Sequence, residues 1–178
     1  EPLFCIPLLM RLGGLRLDEA VHLTTEDLQF RHGMPVLCID RDAKASKSFR
    51  EVPVSRRLQD LGLVALFDLR RGQKETLLFP QLAEGQPGSG STRFRKDFIR
   101  YCETHGIDAS TLHAQDFRRA LHHALLDQQC PDHVVRNAMG QMSRDTWGKF
   151  LDDSLLQTVQ QALTEAGAGL PDIVGPNR

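Results

Sequence analysis

Six basic residues, Arg41, Lys44, Lys47, Arg50, Arg56 and Arg57, stand in one stretch whose acids are Asp42 and Glu51, a local excess of four positive charges. Such an excess beside a turn is what contacts to phosphate require, even in a chain that is neutral as a whole. On charge alone, a solvated turn is the plainer account of the same residues. A second basic group, Arg93, Arg95, Lys96 and Arg100, has spacings that scatter it around a helix, and it points to a partner less strongly. Metal chemistry finds no framework. Cys5, Cys38, Cys102 and Cys130 form no CxxC pair, His122 and His123 face different sides of a helix, and Cys130-Pro-Asp-His133 is too short for a zinc motif. No glycine-rich loop precedes a Lys-Ser or Lys-Thr pair, so a nucleotide-cradling loop is excluded. No cofactor and no metal are expected. The single tyrosine, Tyr101, falls on an amphipathic helix, where a packing or surface role suits it.

The whole chain has 178 residues, a formal net charge of −1 and a pI near 6.7, so it does not advertise itself as a nucleic-acid binder. The length suits one domain with a short appendage and is enough to bury a core. No run approaches the roughly 20 apolar residues of a transmembrane helix. The scattered cysteines suit a reducing compartment better than a disulfide scaffold. The opening Glu-Pro-Leu-Phe reads as the start of a cut fragment, and a further domain upstream is expected.

The elements that must position these side chains are mostly helical. The apolar run 3–12 stops at Gly13-Gly14, and a second short helix starts at Asp18. Between Leu28 and Val54 lies the one β signal: Val36–Ile39, a polar turn from Asp40 to Ser48, then Phe49–Val54, as a hairpin or meander. Arg56 to Phe67 reads as a helix, and Leu77–Pro80 closes an extended segment. Gly85–Gly90 reads as a loop, with Ser91 as the cap of a helix whose apolar face is Phe94, Phe98 and Cys102. Phe117, Leu121, Ala124 and Leu125 define a long helix, Pro131 to Gly140 bounds a short one, and Leu151, Leu155, Val159 and Leu163 stripe the last. The expected fold is mainly α with a small antiparallel sheet, a domain over 1–166 followed by a flexible Gly/Pro-rich tail over 167–178.

Three segments, in order, resemble the catalytic domain of the tyrosine recombinase (phage integrase) family. Gly14-Leu-Arg16-Leu-Asp-Glu19 is similar to its first arginine box, Thr-Gly-x-Arg-x-x-Glu. Lys44-Ala-Ser-Lys-Ser-Phe-Arg-Glu-Val-Pro53 resembles its lysine-bearing hairpin, which ends in Val-Pro. Gln115-Asp-Phe-Arg118 resembles its His-x-x-Arg box. Leu78-Phe79-Pro80 stands where the family often has such a triplet. Ala138-Met-Gly-Gln141 stands where it has Leu-Gly-His, nine residues before the nucleophilic tyrosine.

The resemblance implies strand cleavage through a covalent phosphotyrosine. Arg16 and Arg118 would clamp the non-bridging oxygens with forked donors. Lys44, or Lys47 because hairpin length varies, would protonate the leaving 5′ oxygen. Glu19 would orient the arginines, unless it is only a first-turn helix acid. Lys47, Arg50 and Arg119 are expected as DNA contacts.

The departures are as informative. Phe150 occupies the tyrosine position and has no oxygen to attack with. Gln115 and Gln141 occupy the two histidine positions, and glutamine hydrogen-bonds phosphate but carries no proton near neutral pH. The two glutamines favour natural divergence over a single introduced Tyr→Phe change. The expected activity is therefore duplex-DNA binding for recombination with cleavage lost, or a non-enzymatic DNA-binding module derived from an integrase. The expected setting is the bacterial cytoplasm, with a homo-oligomer on DNA possible through the last helix, although self-packing of that helix is preferred.

Overall fold

The computed structural model describes residues 1–41, 48–83, 89–141, 152–168 and 170–171. The expected class holds: helices surround one small antiparallel sheet. Helix α1 (Pro2–Gly13) runs straight through Pro7, which removes a backbone donor and disfavours a helix interior. Burial overrides that cost, because Ile6, Leu9, Met10 and Leu12 of this helix are all fully enclosed. Gly14 ends it with φ 63°, the left-handed conformation that glycine adopts without penalty. Helix α2 (Leu17–Val21) follows at once.

Strands β1 (Leu28–Arg31), β2 (Met34–Arg41) and β3 (Ser48–Pro53) form a meander in the order β1-β2-β3. The first connection is the two-residue loop His32-Gly33, both residues with positive φ, as a type I′ turn needs. Leu37 pairs with Leu28 on one side and Val52 on the other, which fixes the register; Ile39 pairs with Arg50. Strands β2 and β3 are buried along most of their described length, while β1 exposes Gln29 and Phe30.

The helix expected over Arg56–Phe67 is two: α3 (Arg56–Asp60) and α4 (Leu63–Gly72), separated by Gly62 at φ 87°. A single 3-10 turn at Pro80–Leu82 follows. Helix α5 (Ser89–Thr104) starts earlier than expected, so Ser91 lies inside it rather than capping it. The Ser91 hydroxyl instead donates to Asp18 Oδ1 at 3.0 Å, joining α5 to α2. Helices α6 (Ala114–Asp127) and α7 (Asp132–Ala138) match the expected spans.

The last helix, α8 (Asp153–Ala168), packs within its own chain against α1, α3, α6, α7 and β3. Of the expected stripe, Leu155, Val159 and Leu163 are buried there together with Leu156, and Leu151 lies outside the described residues. Arg11 donates to the Ala166 carbonyl at 3.2 Å, placing a cation at the carbonyl end of α8, and Arg57 donates to the Pro171 carbonyl just beyond it at 2.9 Å. The boundary expected at residue 166 thus falls inside a helix, and residues 172–178 lie outside the described residues. Among the described residues no helix is long and apolar enough to cross a membrane.

Leu163 is fully buried, so Leu163→Ala should cost about 2–5 kcal/mol. A urea titration should show the midpoint fall with an unchanged slope, and at the same value across protein concentrations, because α8 docks in its own chain.

Candidate functional site

Helix α7 ends in three carbonyls that the helix itself leaves without partners. Each accepts from an arginine of a different element. Ala138 O takes Arg50 Nη1 at 3.0 Å, Met139 O takes Arg118 Nη2, and Gly140 O takes Arg16 Nη2 at 3.1 Å. Arg16 caps α2, Arg50 lies on β3, and Arg118 lies in the first half of α6. Residues 102 positions apart in the chain, Arg16 and Arg118, therefore meet on adjacent carbonyls.

The other side of the cluster is built at the end of α1. The Gly14 carbonyl accepts from Arg118 Nη1 and, at 3.1 Å, from Arg50 Nη2. Both glycines are required by space. A Cβ on Gly14 would lie 2.5 Å from the Ala138 carbonyl, and one on Gly140 would lie 2.7 Å from the Arg50 guanidinium.

Glu19 sits among these cations. Its Oε2 accepts from the Arg16 backbone N–H at 2.6 Å and from Arg50 Nη2 at 2.7 Å, and its Oε1 faces Arg16 Nη1 at 3.4 Å. Glu19 is a first-turn acid of α2 and at the same time the anion that Arg16 and Arg50 share. Burial pushes its carboxyl up, but the charge and hydrogen bond of Arg50 and the backbone hydrogen bond of Arg16 outweigh this and hold it below the ordinary value. Arg118 is pushed down to about 10, first by burial and then by the charges of Arg50 and Arg16. It remains cationic at neutral pH.

Three guanidiniums against one carboxylate leave two net positive charges in a largely dry setting. Arg118 and Arg50 are only 5% and 8% exposed, whereas the Arg16 side chain is 47% exposed. Arg16 is thus the face that solvent reaches, and the other two are buried. An anion arriving there would meet a forked donor and, behind it, cations screened less than surface charges are.

The remaining expected residues fall around this cluster. Gln115 is exposed on the first turn of α6, three residues before Arg118. Gln141 is exposed, follows Gly140 directly, and its N–H donates to the Arg136 carbonyl at 2.8 Å. Arg119 is exposed and pairs with Asp116 at 2.8 Å. Arg50 departs from expectation. It does not line an open DNA-facing surface but turns inward, its two Nη atoms committed to Ala138 O, Gly14 O and Glu19. The period of two along β3 carries the signal: Arg50 shares a face with Val52, a core residue, while Glu51 takes the other face and pairs with Arg31 at 2.6 Å. Lys44, Lys47 and Phe150 lie outside the described residues. Tyr101 is half-exposed and stacks on His105, with ring centroids 4.1 Å apart.

The lowered carboxyl of Glu19 has a signed consequence. As pH falls, the unfolded chain takes up this proton first, so the stabilisation from Glu19 is complete above the ordinary carboxylate value of about 4.3 and disappears as pH falls through the lower folded value. Glu19→Gln should cost on the order of 3 kcal/mol at pH 7, as breaking a buried ion pair does. Urea midpoints measured from pH 7 to pH 3 should fall less steeply for the variant than for the unchanged chain.

Neither curated proteins nor solved structures yield a match to the chain. The family model described as the phage integrase family matches residues 3–152, which takes in α1 through α7, the sheet and the whole arginine cluster. That span is most of the chain, and by it this protein belongs to the phage integrase family, whose members act in site-specific DNA recombination.

Proposed function

We propose that this chain is an integrase-like recombinase domain that grips a phosphodiester of duplex DNA at the arginine cluster and does not cleave it. The observation that carries this reading is the convergence of Arg16, Arg50 and Arg118 on the Gly14 carbonyl and the carbonyls at the end of α7, with Arg16 and Arg50 sharing the Glu19 carboxylate, two charges in excess and Arg16 at the opening. Arg16 meets the non-bridging oxygens directly, and Arg118 adds its field and remaining N–H groups from behind. The domain runs through α8 to Ala168, two residues past the boundary expected at 166. Lys44, or Lys47, reaches the leaving oxygen from the basic hairpin, and Lys47 and Arg119 add phosphate contacts.

Cleavage fails at two points. The phenyl ring of Phe150 offers no nucleophile, so no phosphoester to the protein forms. Gln115 and Gln141 hydrogen-bond phosphate oxygens without shuttling protons, a loss worth about 10²–10⁴-fold wherever proton transfer counts. These three residues also favour the second reading, a non-enzymatic DNA-binding or assembly module descended from an integrase.

Fluorescence anisotropy on a labelled duplex between 50 and 200 mM salt tests the binding. Log affinity should fall linearly with log salt, and Arg16→Ala should weaken binding while lowering the slope by about one. No binding at the lowest salt, or an Arg16→Ala chain that binds unchanged, would remove the reading.

A nicked suicide duplex tests the chemistry. The unchanged chain should give no covalent adduct, and Phe150→Tyr should give one slowly. An adduct from the unchanged chain would place the nucleophile elsewhere. An inert Phe150→Tyr chain that still binds would select the non-enzymatic module.

A further inference from the structure

Arg50 is a buried cation that the phosphate clamp does not obviously need. Arg50 is 8% exposed, and β3 delivers it to the cluster. Every acceptor it uses belongs to the structure that holds the other two arginines. Gly14 O also takes Arg118 Nη1. Glu19 Oε2 also takes the Arg16 backbone N–H. Ala138 O is the carbonyl beside Met139 O, which takes Arg118, and two before Gly140 O, which takes Arg16. One planar, forked side chain thus ties together the end of α1, the start of α2 and the end of α7. Its Nε has no hydrogen-bond partner among the described residues and packs where a Cβ on Gly140 would be.

We infer that Arg50 is a positioning residue for phosphate binding: it sets the approach of Arg16 and Arg118 through shared acceptors, without touching DNA itself. The inference rests on the phosphate-binding reading above. Lysine keeps the charge at this position, but a single ammonium cannot present the planar fork that spans two carbonyls and a carboxylate on separate segments. Charge alone therefore does not restore the geometry. A merely stabilising role predicts instead that folded Arg50→Lys protein binds normally.

The test is a double-mutant cycle on the full 178-residue chain, with affinity for a labelled duplex corrected for the folded fraction from thermal melts. Arg50→Lys alone should weaken binding about tenfold, the loss of one charge-assisted contact. On the Arg16→Ala background the same change should cost less than about twofold, because Arg16, the exposed member of the pair it positions and the one proposed to meet the phosphate, is gone. The Arg16 Nε–Hε resonance, followed by NMR, should shift or broaden in Arg50→Lys. If Arg50→Lys does not fold, Arg50→Gln, which removes the buried charge and keeps a hydrogen-bonding head, enters the same cycle with the same expectation. Wild-type affinity in folded Arg50→Lys or Arg50→Gln chains, or losses that multiply in the double variant, would overturn the inference. If the unchanged chain fails to bind or Arg16→Ala has no effect, the phosphate-binding reading itself falls, a separate outcome.

Discussion

The end of a seven-residue helix organises this molecule. A helix C-terminus carries partial negative charge and leaves carbonyls without donors, and water ordinarily supplies them. In α7 three successive carbonyls, of Ala138, Met139 and Gly140, are supplied instead by Arg50, Arg118 and Arg16. Three mutually repelling guanidiniums can share a buried space only where dipoles and a carboxylate offset the repulsion. The helix end provides the first and Glu19 the second. An imbalance of two positive charges remains, and the proposed phosphate binding rests on it.

The rest of the fold can be understood as the means of bringing four distant pieces of chain to that helix end. The Gly13-Gly14 turn aims a carbonyl back at Arg118 and Arg50 and lets the backbone pass within reach of Ala138. The meander places β3 so that alternation sends Arg50 inward. Helix α6 brings Arg118 from one side, and α8 closes the core beneath α1, α7 and β3. The apolar core is thus arranged around a polar knot of arginines, carbonyls and one carboxylate.

Much of this was legible in the residues. The short helices around Gly13-Gly14, the long helix of Leu121 and Leu125, and the proline-opened α7 follow from periodicity and caps, which are local. The three boxes pointed to the family and to the meeting of Arg16 with Arg118. What was misread depended on tertiary packing. Ser91 looked like a cap because the glycines before it look like a loop, yet Ser89 and Gly90 are already helical and the hydroxyl serves Asp18. Arg50 looked like part of a basic surface because charge was counted along the chain. Its alternation with Val52 held the contrary signal, and the carbonyls that accept from it come from residues 36 and 88 positions away. Strand β1 is too short, at four residues, to stand out before its neighbour pairs with it.

Strand β3 carries opposite charges on its two buried faces, Arg50 toward Glu19 and Glu51 toward Arg31. A slip of one residue against β2 would exchange those faces. Glu51 would then confront Glu19, and Arg50 would confront Arg31, so that two attractions become two repulsions in a poorly screened interior. Apolar strands of similar shape tolerate such misalignment far more easily. Here the ion pairs of Arg50 and Glu51 also proofread the pairing of the sheet.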